Sequence, residues 1–345
     1  MPFTAAQIAT GASYSLATYD KKEPIDQISF QHRTLDWLVK NKQASTFGNG
    51  SFKEPLFTSH GSNYQNYQGA DQVTYNERDP GVWTDFTYYS AHDGFWFDED
   101  RLIAAGITLS DDSGSVPTGA EKEALINLLQ QSFRGMKVGY QENLAYELLR
   151  DGSQSTKACP GLASIVDPTP TTGTVGGINA ANYAYWQNNA NMGFAAANVV
   201  SEMEEMYVAV QRYGGMLPTF IPCGRAFYDN YVTYAAAAVQ RHLAVQGKGG
   251  AAMDPTVDSV NFHGIPLVWD PTFEALDTLL STTTQTKTAY FLNEKAITLR
   301  PVKGNWMRDR KPQNLPDRYV TYFGKTSKYG LTTNKRNALA VMSIA

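Results

Sequence analysis

Three sets of residues have types and spacings that could do chemistry. The first is the stretch TPTTGTVGGINAANYAYWQNN, Thr169 to Asn189, where Gly173, Gly176 and Gly177 lie close together. Backbone N–H groups of a glycine-rich turn can cradle phosphate, but that chemistry uses GxxxxGK[ST], or GxGxxG after an apolar strand. Neither spacing is present, and DPTPTT rather than a strand precedes the glycines. They are expected to serve tight turns and close backbone approach. The second set is Glu202, Glu204 and Glu205, of which Glu202 and Glu205 would share one face of a helix. Paired carboxylates are the tools of glycoside hydrolysis. Met203, Met206 and Val210 mark an opposing apolar stripe, however, so the acids fit the solvated or partner-facing side of an amphipathic helix. A carbohydrate-active enzyme using Glu202 and Glu205 is the enzymatic alternative.

The third set is the histidines and cysteines. His32, His60, His92, His242 and His263 are scattered, and no two have the i, i+4 spacing of a metal-binding helix. Cys159 and Cys223 are the only cysteines and have no histidines at ligand spacing, which excludes a disulfide scaffold and an ordinary structural zinc site. A G-x-S-x-G elbow is absent. No catalytic, cofactor-binding or metal-ligating residue is expected, and no cofactor.

The elements around these residues read as α+β. Residues 119–150, GAEKEALINLLQQSFRGMKVGYQENLAYELLR, form the clearest helix. Thr118 and Glu121 make a T-x-x-E capping box, and Asp151-Gly152 supplies the stop. Leu125, Leu128, Leu129, Met136, Tyr140, Leu144 and Leu148 give one apolar stripe, while Gly135 and Gly139 weaken its middle. Such a helix would run about 48 Å at 1.5 Å per residue. From Phe47 to about Asp112 aromatic and polar residues alternate, as in VWTDFTYYS and DGFWFDEDRLIAAGITLS, which suits antiparallel strands. The Tyr/Asn/Gln-rich part from His60 to Asp79 suits an extended loop, and acids such as Asp98, Glu99, Asp100, Asp111 and Asp112 suit strand ends and turns. Residues 1–46 read as an arm with one short amphipathic piece, DQISFQHRTLDWLVKN; this arm and the loop are expected to bury little within one subunit. Helices are expected near 194–213 and 225–246. Strands are expected at MLPTFIPC, SVNFHGIPLVWDP and TKTAYFLNEKAITLRPV, with two more closing the chain. Irregular alternation of the two types disfavours a doubly wound sheet.

Composition sets the bounds. An apolar fraction of 42% and a charged fraction of 18% over 345 residues describe a folded chain with a sizeable core. No apolar run approaches the roughly 20 residues that span a bilayer, and MPFTAAQIATGASYS has no secretion-signal pattern, so a cytoplasm is the expected folding compartment and no membrane partner is expected. The net charge of −4 is unevenly spread. Lys295 to Ala345 carries eleven Lys and Arg against two acids, leaving 18 bases and 31 acids elsewhere. An acidic body with a basic end points to self-association, with nucleic acid the other candidate for the basic segment. Its cations are interleaved with strand formers, as in RYVTYFG and KYGLTT, so only weak, sequence-independent contact with DNA is expected.

The long helix ending near Gly152, then GLASIV at Gly161–Val166, TVGGIN and Trp186, resembles the major capsid proteins of tailed bacteriophages, which have the Hong Kong 97-type fold. FHGIPLVWDP and AYFLNEKAITLRP follow in the matching order, so the resemblance covers nearly the whole chain. It implies an N-terminal arm at 1–46, an extended β loop and peripheral strands at 47–118, and a spine helix at 119–150. A connecting segment at 151–194 would join these to an axial domain at 195–290, with peripheral strands at 291–345. It implies a non-enzymatic structural protein that forms pentamers and hexamers and closes an icosahedral head around double-stranded DNA. The DNA would touch the inner face non-specifically. The protein would belong to the virion and assemble in the host bacterial cytoplasm. The arm is too short for a cleaved scaffolding segment, so a separate scaffold protein is expected, with a portal and decoration proteins as further partners. Lys53 and Glu54 lie in the loop region, yet no motif supports carrying over the lysine–asparagine crosslinking of some relatives. An encapsulin-like compartment shares the fold and is the structural alternative.

Overall fold

In the computed structural model the described residues are 30–45, 50–58, 62–77, 81–104, 119–239, 260–315 and 318–345. The strands in chain order are β1 (Ser51–Leu56), β2 (Val82–Thr87), β3 (Tyr89–Asp98), β4 (Thr174–Val175), β5 (Ile178–Asn179), β6 (Asn189–Phe194) and β7 (Ile221–Cys223). They continue as β8 (Val260–Phe262), β9 (Ile265–Trp269), β10 (Thr288–Phe291), β11 (Ile297–Pro301), β12 (Arg308–Leu315), β13 (Arg318–Thr333) and β14 (Ala340–Ile344). Two compact units result. One gathers Ser90–Leu144 and Gly304–Lys328; the other gathers Gln31–Tyr89, Ala145–Lys303 and Tyr329–Ala345.

The larger unit is built on short runs of apolar residues that become strands buried on both faces. TAYF of β10 and AVMSI of β14 are buried at every position, as is IPC of β7. They lie inside a six-stranded sheet of order β6-β14-β10-β7-β9-β8, in which β14 with β6 and β7 with β9 are parallel and the other pairs antiparallel. This mixed sheet confirms α+β. Helices Val199–Ala209 and Arg225–Val239 supply Met203, Met206, Phe227 and Tyr231 to the same core as Ile221, Leu267, Phe291 and Met342. The first helix ends in a π turn, Val210–Gly214, and Gly215 in the left-handed region, as its glycines predict. Its predicted start near 194 is corrected: Asn189–Phe194 is strand, and α-helix begins at Val199. The second helix is described to Val239, so its predicted end at 246 lies outside the described residues.

Two buried carboxylates organise this unit. Asp270 is fully buried and accepts from the backbone N–H of Thr34 at 2.7 Å and of Thr272 at 2.9 Å, and from the Thr272 hydroxyl at 2.5 Å. It thereby anchors helix Arg33–Lys40, whose Leu35 and Leu38 are buried and whose Trp37 stacks on Phe220 at 5.2 Å. The expectation that all of 1–46 buries little is corrected for this helix: leucines three apart share one face and need a core. Asp277, in helix Thr272–Leu280, accepts from the Thr282 hydroxyl, the Gln285 and Thr286 N–H groups and the Thr286 hydroxyl. Burial alone would raise its pKa, but these donors outweigh burial and hold the carboxyl below the usual range.

The smaller unit packs helix residues up to Leu144 against a layer in which β13 pairs with β3 and, antiparallel, with β12. The long helix is observed at Gly119–Leu149, within one residue of its predicted end. Leu128, Met136, Tyr140 and Leu144 of its predicted stripe are buried, and Leu148 and Leu149 are buried in the larger unit. Phe133 packs edge-to-face on Phe95 and Phe323, which stack on each other at 5.1 Å. The capping box, Asp111 and Asp112 fall outside what the structure describes. The strand read through DGFWFDEDRLIAAGITLS is corrected: β3 ends at Asp98 and Glu99–Ala104 is helical. Aromatic alternation stops there, and Glu, Arg, Leu and Ala are helix formers. Among the described residues no helix is long and apolar enough to cross a membrane.

Candidate assembly interface

β1 and β2 form an antiparallel hairpin in register Ser51↔Thr87 to Leu56↔Val82. Strand alternation sends Phe52, Thr84 and Phe86 inward, and Phe52 and Phe86 face each other as a cross-strand pair. Each ring sits on a glycine of another segment. A Cβ on Gly176 would stand 2.8 Å from Phe86 Cζ, and one on Gly330 would stand 2.9 Å from Phe52 Cε2. The N–H of Asp85 donates to the Gly176 carbonyl at 2.9 Å, and Arg300 pairs with Glu54. The base of the hairpin is thus fixed on two sides by packing, a backbone bond and an ion pair.

Beyond that base the chain turns its aromatic residues to solvent. Phe57 is 81% exposed, Tyr64 85%, Tyr67 69%, Tyr75 91% and Trp83 64%. Residues 62–77 form no helix or strand and are laced by their own amides. Asn63 donates to the Thr74 carbonyl and hydroxyl, Gln65 donates to Asn63 Oδ1 at 2.8 Å, and Thr74 N–H donates to Gln65 Oε1 at 3.3 Å. The low burial expected of this segment is observed, but the β structure expected of the loop is corrected: residues 62–77 carry no strand. These amide bonds hold Asn63, Gln65 and Thr74 together, while the rings stay outward. An apolar display of this kind on a fixed stalk marks an interaction surface.

The glycine-rich stretch is part of that stalk. Val175-Gly176-Gly177-Ile178 closes the two-residue hairpin β4–β5, with Thr174↔Asn179 and Val175↔Ile178 paired. Both glycines have positive φ, 59° and 78°, the type I′ geometry that favours glycine at both positions. Trp186 is 1% exposed and donates from Nε1 to the Val175 carbonyl at 2.9 Å. Behind it lies Arg336, fully buried, whose Nε donates to the Ile165 carbonyl at 2.7 Å, Nη1 to the Trp186 carbonyl at 3.0 Å and Nη2 to Asn188 Oδ1 at 2.9 Å. Burial lowers its pKa to about 10, opposed by the charge of Asp167, so the guanidinium keeps its proton at neutral pH. One arginine near the C-terminal strand therefore gathers GLASIV, the segment after TVGGIN, and Trp186. In the sequence it counts as one cation of a basic end.

The other candidate residues are not brought together. Glu202 accepts from Asn191 Nδ2 at 2.6 Å, and Glu205 is exposed, while Met203, Met206 and Val210 of the same helix are buried. Glu204 instead meets His263 Nε2 at 2.8 Å, with the imidazole stacked on Tyr207. His32 bonds Thr272 Oγ1 at 2.9 Å, and His60 and His242 lie outside the described residues. Burial pushes the Cys159 thiol up to about 12 and raises that of Cys223 well above its ordinary value, which leaves both unreactive. Among the described residues no group of three His, Cys, Asp or Glu could hold a metal ion.

No family model and no curated protein matches the chain. Solved structures do. The capsid asymmetric unit of cyanophage A-1(L) is 15% identical with a TM-score of 0.59, covering 94% of this chain and 96% of its own. The capsid of Myoviridae phage XM1 is 11% identical at a TM-score of 0.58, over 95% and 98%. The chain has the Hong Kong 97-type capsid fold. A structure of Gordonia phage Cozz agrees at 12% identity and a TM-score of 0.56, over 97% of this chain and 94% of that one.

Proposed function

We propose that this protein is the major capsid protein of a tailed double-stranded DNA bacteriophage and closes into the icosahedral head as pentamers and hexamers. The observation that carries the reading is end-to-end likeness to capsid subunits at TM-scores near 0.6. The exposed rings of Phe57, Tyr64, Tyr67, Tyr75 and Trp83 on an anchored stalk support it, because a shell subunit must hold surface that only a neighbour covers. On this reading residues 195–290 are the axial domain, 119–150 the spine helix and 291–345 largely peripheral strands, with 151–194 linking them. Scaffold, portal and decoration proteins and packaged DNA are its further partners. The protein is not an enzyme and resides in the virion after assembly in the bacterial cytoplasm.

The triple variant Tyr64→Ser, Tyr67→Ser, Tyr75→Ser tests it. The three tyrosines are 69–91% exposed and bury little among the described residues, so the melting temperature should stay nearly unchanged. In a shell each buried ring contributes about 1.5–3 kcal/mol, so sedimentation should find subunits or capsomers in place of closed particles. Wild-type particle yield from the triple variant would remove the loop from assembly.

A further inference from the structure

The smaller unit has a sheet face that the helix does not cover. Phe95 and Phe323 point to the helix side, where Phe133 meets them. Pleat alternation places His92, Gly94 and Trp96 of β3 on the opposite face, beside Tyr322, Gly324 and Thr326 of β13. Arg308 and Arg310 of β12 stand directly opposite Thr326 and Gly324, both exposed, and Arg310 Nε donates to Thr326 Oγ1 at 3.0 Å. The residues named on this face, Arg308 excepted, line an open cleft of about 460 Å³, and Arg308 stands next to it across from Thr326. Its floor is bare backbone. A Cβ on Gly94 would lie 2.5 Å from the Phe323 carbonyl oxygen, and one on Gly324 would lie 2.7 Å from His92 Nε2. The floor therefore admits no side chain, and the imidazole lies over it. Asp309, between the two arginines on β12, belongs to the other face by strand alternation and pairs there with Lys325 at 2.6 Å.

We propose that this face binds single-stranded nucleic acid, the bases stacking on Trp96 and Tyr322 and the phosphates pairing with Arg308 and Arg310. Aromatic planes on a flat basic surface suit unpaired bases, because stacking is tolerant of sequence and needs a base face free of its neighbours. A duplex hides those faces and offers the arginines its phosphates alone. An acidic peptide would likewise engage the arginines and leave the rings without a role. The inference goes beyond shell formation and stands on the smaller unit alone.

The test is fluorescence anisotropy of a labelled single-stranded oligothymidylate with the full-length chain at low salt. Binding should quench tryptophan emission and exceed that of a duplex of equal length. Tyr322→Ala should weaken it about tenfold and Tyr322→Phe should leave it intact, since the ring supplies the contact. Trp96→Ala should weaken it similarly, and Arg310→Ala should reduce the salt slope by about 0.7. Melting temperatures check that each variant is folded, and the Tyr322 pair decides the matter where Trp96→Ala is not. Equal or tighter binding of the duplex would overturn the proposal. So would full competition by polyglutamate, or an unchanged affinity in folded Tyr322→Ala. None of these readings depends on whether the chain forms particles.

Discussion

Gly176→Val should lower subunit stability by about 2–6 kcal/mol and abolish closed particles, whereas Gly177→Ala should be much milder. Two effects combine at Gly176. A β-branched residue at φ 59° is strained by about 1–3 kcal/mol, and its side chain would enter the space of Phe86, an overpacking that costs about 1–3 kcal/mol more. At Gly177 no atom lies within 4 Å of the place an added methyl group would take, so only backbone strain at φ 78° remains. Urea unfolding of the subunit and sedimentation of the assembled product measure both arms. Equal damage from the two substitutions would show that turn strain alone matters and that the Phe86 contact does not position the stalk. Phosphate or nucleotide should bind neither parent nor variant, because the glycines close a hairpin that is packed against β2.

Arg336→Met should destabilise the subunit by about 3–6 kcal/mol. It leaves the Ile165 and Trp186 carbonyls without their donor inside the core and Asn188 Oδ1 with only the Asp167 N–H at 3.2 Å, and each buried unsatisfied group costs about 1–3 kcal/mol. Arg336→Lys keeps the charge but offers one compact ammonium where three directions are needed, so it should recover only part of the loss. A shift below about 1 kcal/mol in urea unfolding of Arg336→Met would mean that the segments around Trp186 hold together without it.

Much of the fold was legible because its elements carry regular periods. The long helix announced itself by leucines at three- and four-residue steps, and β7, β10 and β14 by unbroken apolar runs. The turn at TVGGIN was readable because adjacent glycines supply the two positive φ values that a two-residue hairpin needs. Charge counting overstates only the free charge of the basic end. Of the eleven cations after Glu294, Arg336 is buried, Arg300 pairs with Glu54 and Lys325 pairs with Asp309, so the basic end is less exposed than its composition suggests. The position of Arg336, just ahead of the apolar run ALAVMSI, was the available signal. Helix Thr272–Leu280 lay between two strands and is too short for periodicity to stand out, although Phe273 and Leu276 bury one face. Helix Arg33–Lys40 was readable as amphipathic, but only the tertiary anchor at Asp270, 236 residues from Thr34, shows that it belongs to the core.

Electron cryomicroscopy of the full-length chain, produced in bacteria and purified without added partners or denaturant, tests the central claim most directly. Closed shells with five- and six-fold capsomers are predicted, with Tyr64, Tyr67 and Tyr75 of each subunit covered by a neighbour, and nuclease-protected DNA in heads made during infection would separate a genome container from an enzyme-loading compartment. Single subunits at every concentration, with those three rings still facing solvent, would contradict it.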